Sequence, residues 1–266
     1  MIDSTFLLQV ILSFVVGCFW VLLTTLSADR FGSKIGGFIG GLPSTAAVSF
    51  FFIGLTQSAQ TAAQATTVFP LSYAFTGLFL VLYALFWKKG FIFAFVFSIS
   101  VWFALSACVV LFKLENFILS VCLYIFFFIF AVYILEYRLK LPSVGKEKIQ
   151  YSIFQYIMRA VFGGFIVAVA VFLSRIGGPV FGGIFSAFPA VFISVLIINY
   201  KSRGMAFSRA MAKPLLVTGM ISIFMYALGV RYFYPALGLW WGTLGAYVFA
   251  MVGAFFSYLL IQKKLS

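Results

Sequence analysis

The chain has no histidine, and its five acidic residues, Asp3, Asp29, Glu115, Glu136 and Glu147, stand at the ends of apolar runs or between them. Three cysteines, Cys18, Cys108 and Cys122, sit inside apolar segments without metal-ligand spacing and read as packing residues. No base and nucleophile can be paired from this inventory, so neither an enzyme nor a metal or cofactor site is expected. The chemistry left is non-covalent binding. Gly36, Gly37, Gly40 and Gly41 precede Pro43, Ser44 and Thr45, and a similar series follows later: Gly177, Gly178, Pro179, Gly182, Gly183, Ser186 and Pro189. Proline removes a backbone donor and clashes with the preceding turn, and glycine disfavours helix by about 1 kcal/mol relative to alanine. Each series therefore predicts an interrupted helix whose freed N–H groups and neighbouring hydroxyls can hold a small solute.

Arg159 adds the one basic side chain well inside an apolar segment. It can hold an anionic group together with the positive ends of interrupted helices, or extend to the headgroups. The candidate substrate-binding set is thus Gly40, Gly41, Pro43, Ser44, Thr45, Arg159, Gly182, Gly183, Ser186 and Pro189. A second reading of the glycines stays open. Gly-Gly-x-x-Gly-Gly is also a stripe of small residues that lets two helices approach closely.

Composition fixes the solvent in which these residues work. Hydrophobic residues make up 64% of the 266, charged residues 9%, and mean hydropathy is +1.17. Such a chain is an all-α polytopic membrane protein, and at roughly 20 to 25 residues per crossing its length allows about nine spans. The apolar runs place them near 5–27, 35–56, 66–87, 90–112, 116–135, 153–174, 177–199, 213–230 and 236–261. Gln57, Gln60 and Gln64, at helical spacing after the second run, read as a solvated extension of that helix or as the lining of the outer approach to the pocket.

Alternating the loops between the two sides collects Arg30, Lys34, Lys88, Lys89, Arg138, Lys140, Lys146, Lys148, Lys201, Arg203, Arg209, Lys213, Lys263 and Lys264 on one side. The other side receives only Lys113, Arg175 and Arg231. The positive-inside rule then predicts an outside N-terminus and a cytoplasmic C-terminus, with a prokaryotic cytoplasmic membrane as the expected location. The formal charge of +13 is a topology signal and an attraction to anionic membrane lipid, with no basic soluble domain that would point to nucleic acid.

Further correspondences accompany the glycine series at nearly constant offset. Gly17 and Ser27 match Gly164 and Ser174; Pro70, Thr76-Gly77 and Tyr83-Ala84-Leu85 match Pro214, Thr218-Gly219 and Tyr226-Ala227-Leu228. They predict two four-helix repeats, 1–112 and 151–266, joined by a connector helix and loop at 113–150. One connector span turns the second repeat over relative to the first. Inverted repeats with paired broken helices are the arrangement expected of a carrier, here for a small polar or anionic solute, with any coupling ion held by backbone carbonyls. A passive channel of the same symmetry and a lipid-handling protein are the alternatives, and a homodimer is compatible with the chain.

The Gly40-Gly41-Leu42-Pro43 turn, and Gly182-Gly183 leading to Phe188-Pro189, resemble the GlpM-like small glycine-rich membrane proteins. The resemblance implies a fused tandem duplication of one small unit and brings no established substrate.

Overall fold

The structure, a computed structural model, describes residues 3–30, 42–141 and 152–264. Gly40 and Gly41, with the rest of 31–41, lie outside the described residues, as does 142–151. The described residues form helices α1 (Ser4–Arg30), α2 (Thr45–Thr56), α3 (Ala59–Ala65), α4 (Phe69–Leu85), α5 (Phe91–Leu111), α6 (Phe117–Tyr133), α7 (Ile153–Gly177), α8 (Pro179–Ser186), α9 (Ala190–Ala210) and α10 (Ala212–Lys264), and no strand. Seven helical stretches among them are long and apolar enough to cross a membrane. The protein is an all-α, polytopic membrane protein.

Nine runs in the sequence correspond to seven such stretches for two reasons. α2 has only 12 described residues, and α10 comprises two helices that meet at a kink at Gly238. At Gly238 the backbone takes φ 75° and ψ −179°, a conformation open essentially to glycine, and the chain reverses there. The arms 212–237 and 239–264 then pack antiparallel. Ser222 Oγ donates to the Ala250 carbonyl at 3.1 Å, the Tyr226 and Tyr247 rings lie 5.2 Å apart, and Gly229 lies against Ala246.

Packing inverts the logic of a soluble core. Lipid is as apolar as leucine, so helices present small and hydroxyl-bearing residues to one another and large apolar ones to the outside. α5 buries Ala94, Ser98, Trp102, Ser106 and Val109 at three- and four-residue spacing, while Ile92, Phe93 and Phe103 are exposed. α6 buries Ser120, Tyr124 and Ala131, and Tyr124 donates to the Met220 carbonyl at 2.7 Å, which binds this helix to α10. Cys122 on α6 is exposed, which corrects the expectation that all three cysteines pack inside.

α1 and α7 pair along their lengths in opposite directions. Phe6 stacks on Phe172, Gly17 lies against Gly164, and the Tyr156 hydroxyl donates to the Asp29 carboxylate. α4 and the first arm of α10 are also antiparallel: Thr67 accepts from Arg231 at 3.1 Å, and further along Gly77 faces Leu216 and Met220. Where α6 ends, a π turn over Ile134–Arg138 carries Glu136 to within 2.5 Å of the Lys213 ammonium, an ion pair at the start of α10. Beyond α2 the chain forms the short helix α3 with Gln60 and Gln64 exposed, while the Gln57 amide donates to Ser174 Oγ at 3.0 Å.

Candidate functional site

Both series of glycine and proline produce helix starts inside the bundle. α2 begins at Thr45, two residues after Pro43, and α9 begins at Ala190, directly after Pro189. Between α8 and α9, Ala187, Phe188 and Pro189 leave the helix, because Pro189 has no N–H to continue it. Neither helix start is capped by its own N-cap residue: Ser44 and Pro189 both lack a side-chain cap bond. The N–H groups of Ala46, Val191 and Phe192 have no acceptor among the described residues.

A cavity of about 50 Å³ lies where the two starts converge. α2 contributes Ser44, Thr45 and Ala46; the break contributes Ser186, Phe188 and Pro189, and α9 Val191 and Phe192. α4 adds Tyr73 and Thr76, α10 adds Thr218 and Gly219, and α7 adds Arg159. Arg159 carries the one formal charge among these described lining residues. Two buried hydroxyls of the lining, Tyr73 Oη and Ser186 Oγ, have no hydrogen-bond partner among the described residues. Buried hydroxyls are normally paired, and one left unpaired in a low-dielectric site costs about 1–3 kcal/mol. Two such hydroxyls on one cavity make it the candidate site.

Carbonyls freed by the breaks are held in a reciprocal manner. Thr76 Oγ1 on α4 donates to the Ala187 carbonyl at 2.7 Å and accepts from the Trp102 indole at 3.1 Å. Tyr247 Oη on α10 donates to the Pro43 carbonyl at 2.8 Å and accepts from the Trp20 indole at 2.6 Å. Each of these two carbonyls is thus satisfied by a hydroxyl from the other matched half of the chain, itself fixed by a tryptophan N–H. Non-helical backbone at such depth requires partners of this kind, since lipid offers none.

Of the candidate residues, Ser44, Thr45, Arg159, Ser186 and Pro189 lie on the cavity. Pro43 stands beside it and supplies the carbonyl bound by Tyr247. Gly182 and Gly183 do not line the cavity. A Cβ on Gly182 would meet Ser174 Cβ at 2.7 Å, and one on Gly183 would collide with the Ala65 carbonyl oxygen, so both serve the close approach of α8 to its neighbours. Tyr73, Thr76, Trp102 and Tyr247 were not singled out from the sequence as parts of a site. Thr76-Gly77 and Thr218-Gly219 were legible only as a repeat correspondence. Among the described residues no group of three or more Cys, Asp or Glu could hold a metal ion.

The sequence matches the family described as protein of unknown function (DUF3147) in two stretches, residues 10–127 and 156–263. Together they cover well over half of the chain. The chain belongs to the DUF3147 family. No curated protein and no solved structure matches it. In this DUF3147 chain the helix starts at Thr45 and Ala190 fall one in each matched stretch, and the cavity draws its lining from both.

Proposed function

We propose that this protein is a secondary transporter that carries a small polar or anionic solute by alternating access between two inverted repeats, 1–112 and 151–266, through nine spans. The observation that carries the reading is a cavity formed where two helix starts, one in each proposed repeat, converge. Further support comes from the pairing of corresponding helices. α1 meets α7 at the matched glycines Gly17 and Gly164, and α4 meets the first arm of α10; both pairs are antiparallel. Antiparallel contact at matched positions is what a twofold axis in the membrane plane produces. A site on such an axis can open to either side in two states of similar energy, because the halves exchange roles.

The orientation follows from charge. Contacts gather basic residues at one end of the bundle: Arg209 donates to the Ala84 carbonyl at 3.0 Å and covers the Trp87 ring, and Lys213 pairs with Glu136. At the opposite end Arg231 lies over the Phe117 ring. With the basic end in the cytoplasm, Lys89→Cys reacts with a membrane-impermeant maleimide only in opened cells and Lys113→Cys reacts in intact cells. Equal labelling of the two in intact cells would refute the inverted arrangement.

Transport itself is tested in proteoliposomes with a panel of small anions and neutral polar solutes. Uptake that saturates and is accelerated by the same solute inside the vesicle is the expected result, lowered about tenfold or more by Arg159→Gln through loss of a charge-assisted hydrogen bond. Flux that rises in proportion to the gradient, with no acceleration from the opposite side, identifies a pore instead.

A further inference from the structure

We infer that the cavity selects a small monoanion bearing carboxylate-like oxygens, and excludes cations and neutral solutes; this rests on the transport reading only for its consequence, not for the binding site itself. The charged group and the helix ends of the lining favour negative charge, and its hydroxyls can donate to an anion. The Arg159 guanidinium offers a fork of donors that matches two oxygens of one group. The helix starts at Thr45 and Ala190 bring the positive ends of α2 and α9 to the same space, with the Ala46, Val191 and Phe192 N–H groups available. None of the described lining residues is acidic, so the lining offers a cation no carboxylate.

Two hydroxyls make the site more than a pair of helix ends. Tyr73 and Ser186 are each 4% exposed, both line the cavity, and neither hydroxyl has a partner among the described residues. A phenol and an alcohol can both donate to an anion's oxygens. Gly219 keeps the space before Tyr73 open, for a Cβ there would stand 3.5 Å from the phenol oxygen and 2.6 Å from Phe192 Cζ. Size sets the other limit. A volume of about 50 Å³ holds on the order of three to five waters, which matches an anion of about three to five heavy atoms such as formate, nitrate or acetate.

The test uses the full chain in lipid nanodiscs, in a zwitterionic buffer with no added small anion, so that no background carboxylate competes for the cavity. Formate, nitrate and acetate are titrated by calorimetry and by thermal shift, with acetamide as the uncharged isostere of acetate and choline as the cation. The expected result is stabilisation by the three anions and none by acetamide or choline. Arg159→Gln weakens acetate binding at least tenfold. Tyr73→Phe gives a sign-reversed signature that does not depend on the arginine variant folding: it raises the melting temperature of the empty protein, by removing a buried unpartnered hydroxyl, and weakens acetate binding severalfold. The inference is overturned if acetamide stabilises as well as acetate, if no small anion binds, or if Tyr73→Phe leaves the acetate affinity unchanged. The two readings fail separately. Anion binding without saturable flux removes the carrier and keeps the anion site, whereas saturable flux of a neutral solute without anion binding removes the anion site and keeps the carrier.

Discussion

Alanine at position 183 is expected to destabilise the protein by about 2–3 kcal/mol and to lower its melting temperature by roughly 5–10 °C. The new methyl group would collide with the Ala65 carbonyl oxygen and come within 2.9 Å of Val68 Cγ2, so α8 and the α3–α4 connection must separate. Ala65 is completely buried and its carbonyl is backbone, which leaves no flexible side chain to yield. Helix propensity acts the other way by about 0.5–1 kcal/mol and is too small to compensate. Gly77→Ala is the control. Its Cβ would meet Met220 Sδ at 2.9 Å and Cε at 3.1 Å, the end of an adaptable side chain, so packing loss and propensity gain nearly cancel. Because α8 ends at Ser186, displacing it also shifts the break, and in the proposed carrier Gly183→Ala is expected to lower solute uptake along with stability. Equal melting of the two variants would show that α8 does not seat against Ala65.

What the sequence disclosed and what it withheld follow from the solvent. Hydropathy locates helices in lipid reliably, and each of the nine apolar runs has helical residues where they are described. The break at Pro189 and the helix start after Pro43 were equally legible, because a missing N–H acts locally and needs no knowledge of neighbours. Burial was not legible. An exposed Cys122 and a buried Val109 are alike in composition, since lipid does not penalise apolar exposure. The roles of Gly182 and Gly183 were ambiguous for a related reason: a packing stripe and a pocket wall share one sequence signature, and only the placement of α3 decides between them. The α10 reversal was expected within 231–235, where Arg231 and Pro235 stand. It occurs at Gly238, the residue that can take the required positive φ. Tyr73 lay hidden because an aromatic in an apolar helix looks the same whether its hydroxyl meets a cavity or a carbonyl.

Thr76→Val is expected to cost about 2–4 kcal/mol, although valine is nearly the same size as threonine. The substitution removes one hydroxyl and leaves two groups without a partner, the Ala187 carbonyl and the Trp102 indole N–H, of which Trp102 is 1% exposed. Individual hydrogen bonds between membrane helices average only about 0.6 kcal/mol, because the separated helices find other partners in the bilayer. A break at Pro189 changes that balance, since the Ala187 carbonyl has left the helix ladder and Thr76 is the group that replaces its partner. Thr76→Ser keeps the hydroxyl and isolates the loss of the methyl group. Tyr247→Phe applies the same reasoning to the Pro43 carbonyl and costs less, because Trp20 is only partly buried and its indole can turn outward. The functional consequence follows from the reciprocity of these contacts. Thr76 belongs to the first half and holds the break of the second, while Tyr247 belongs to the second and holds the helix start of the first. In the proposed carrier, motion of one half against the other strains the two clamps unequally, so loosening them separately is expected to bias access toward opposite sides. Cysteines placed at Lys89 and Lys113 report that bias as opposite changes in maleimide reactivity in the Thr76→Val and Tyr247→Phe backgrounds. Identical changes in both would show that the clamps hold the breaks but do not gate them.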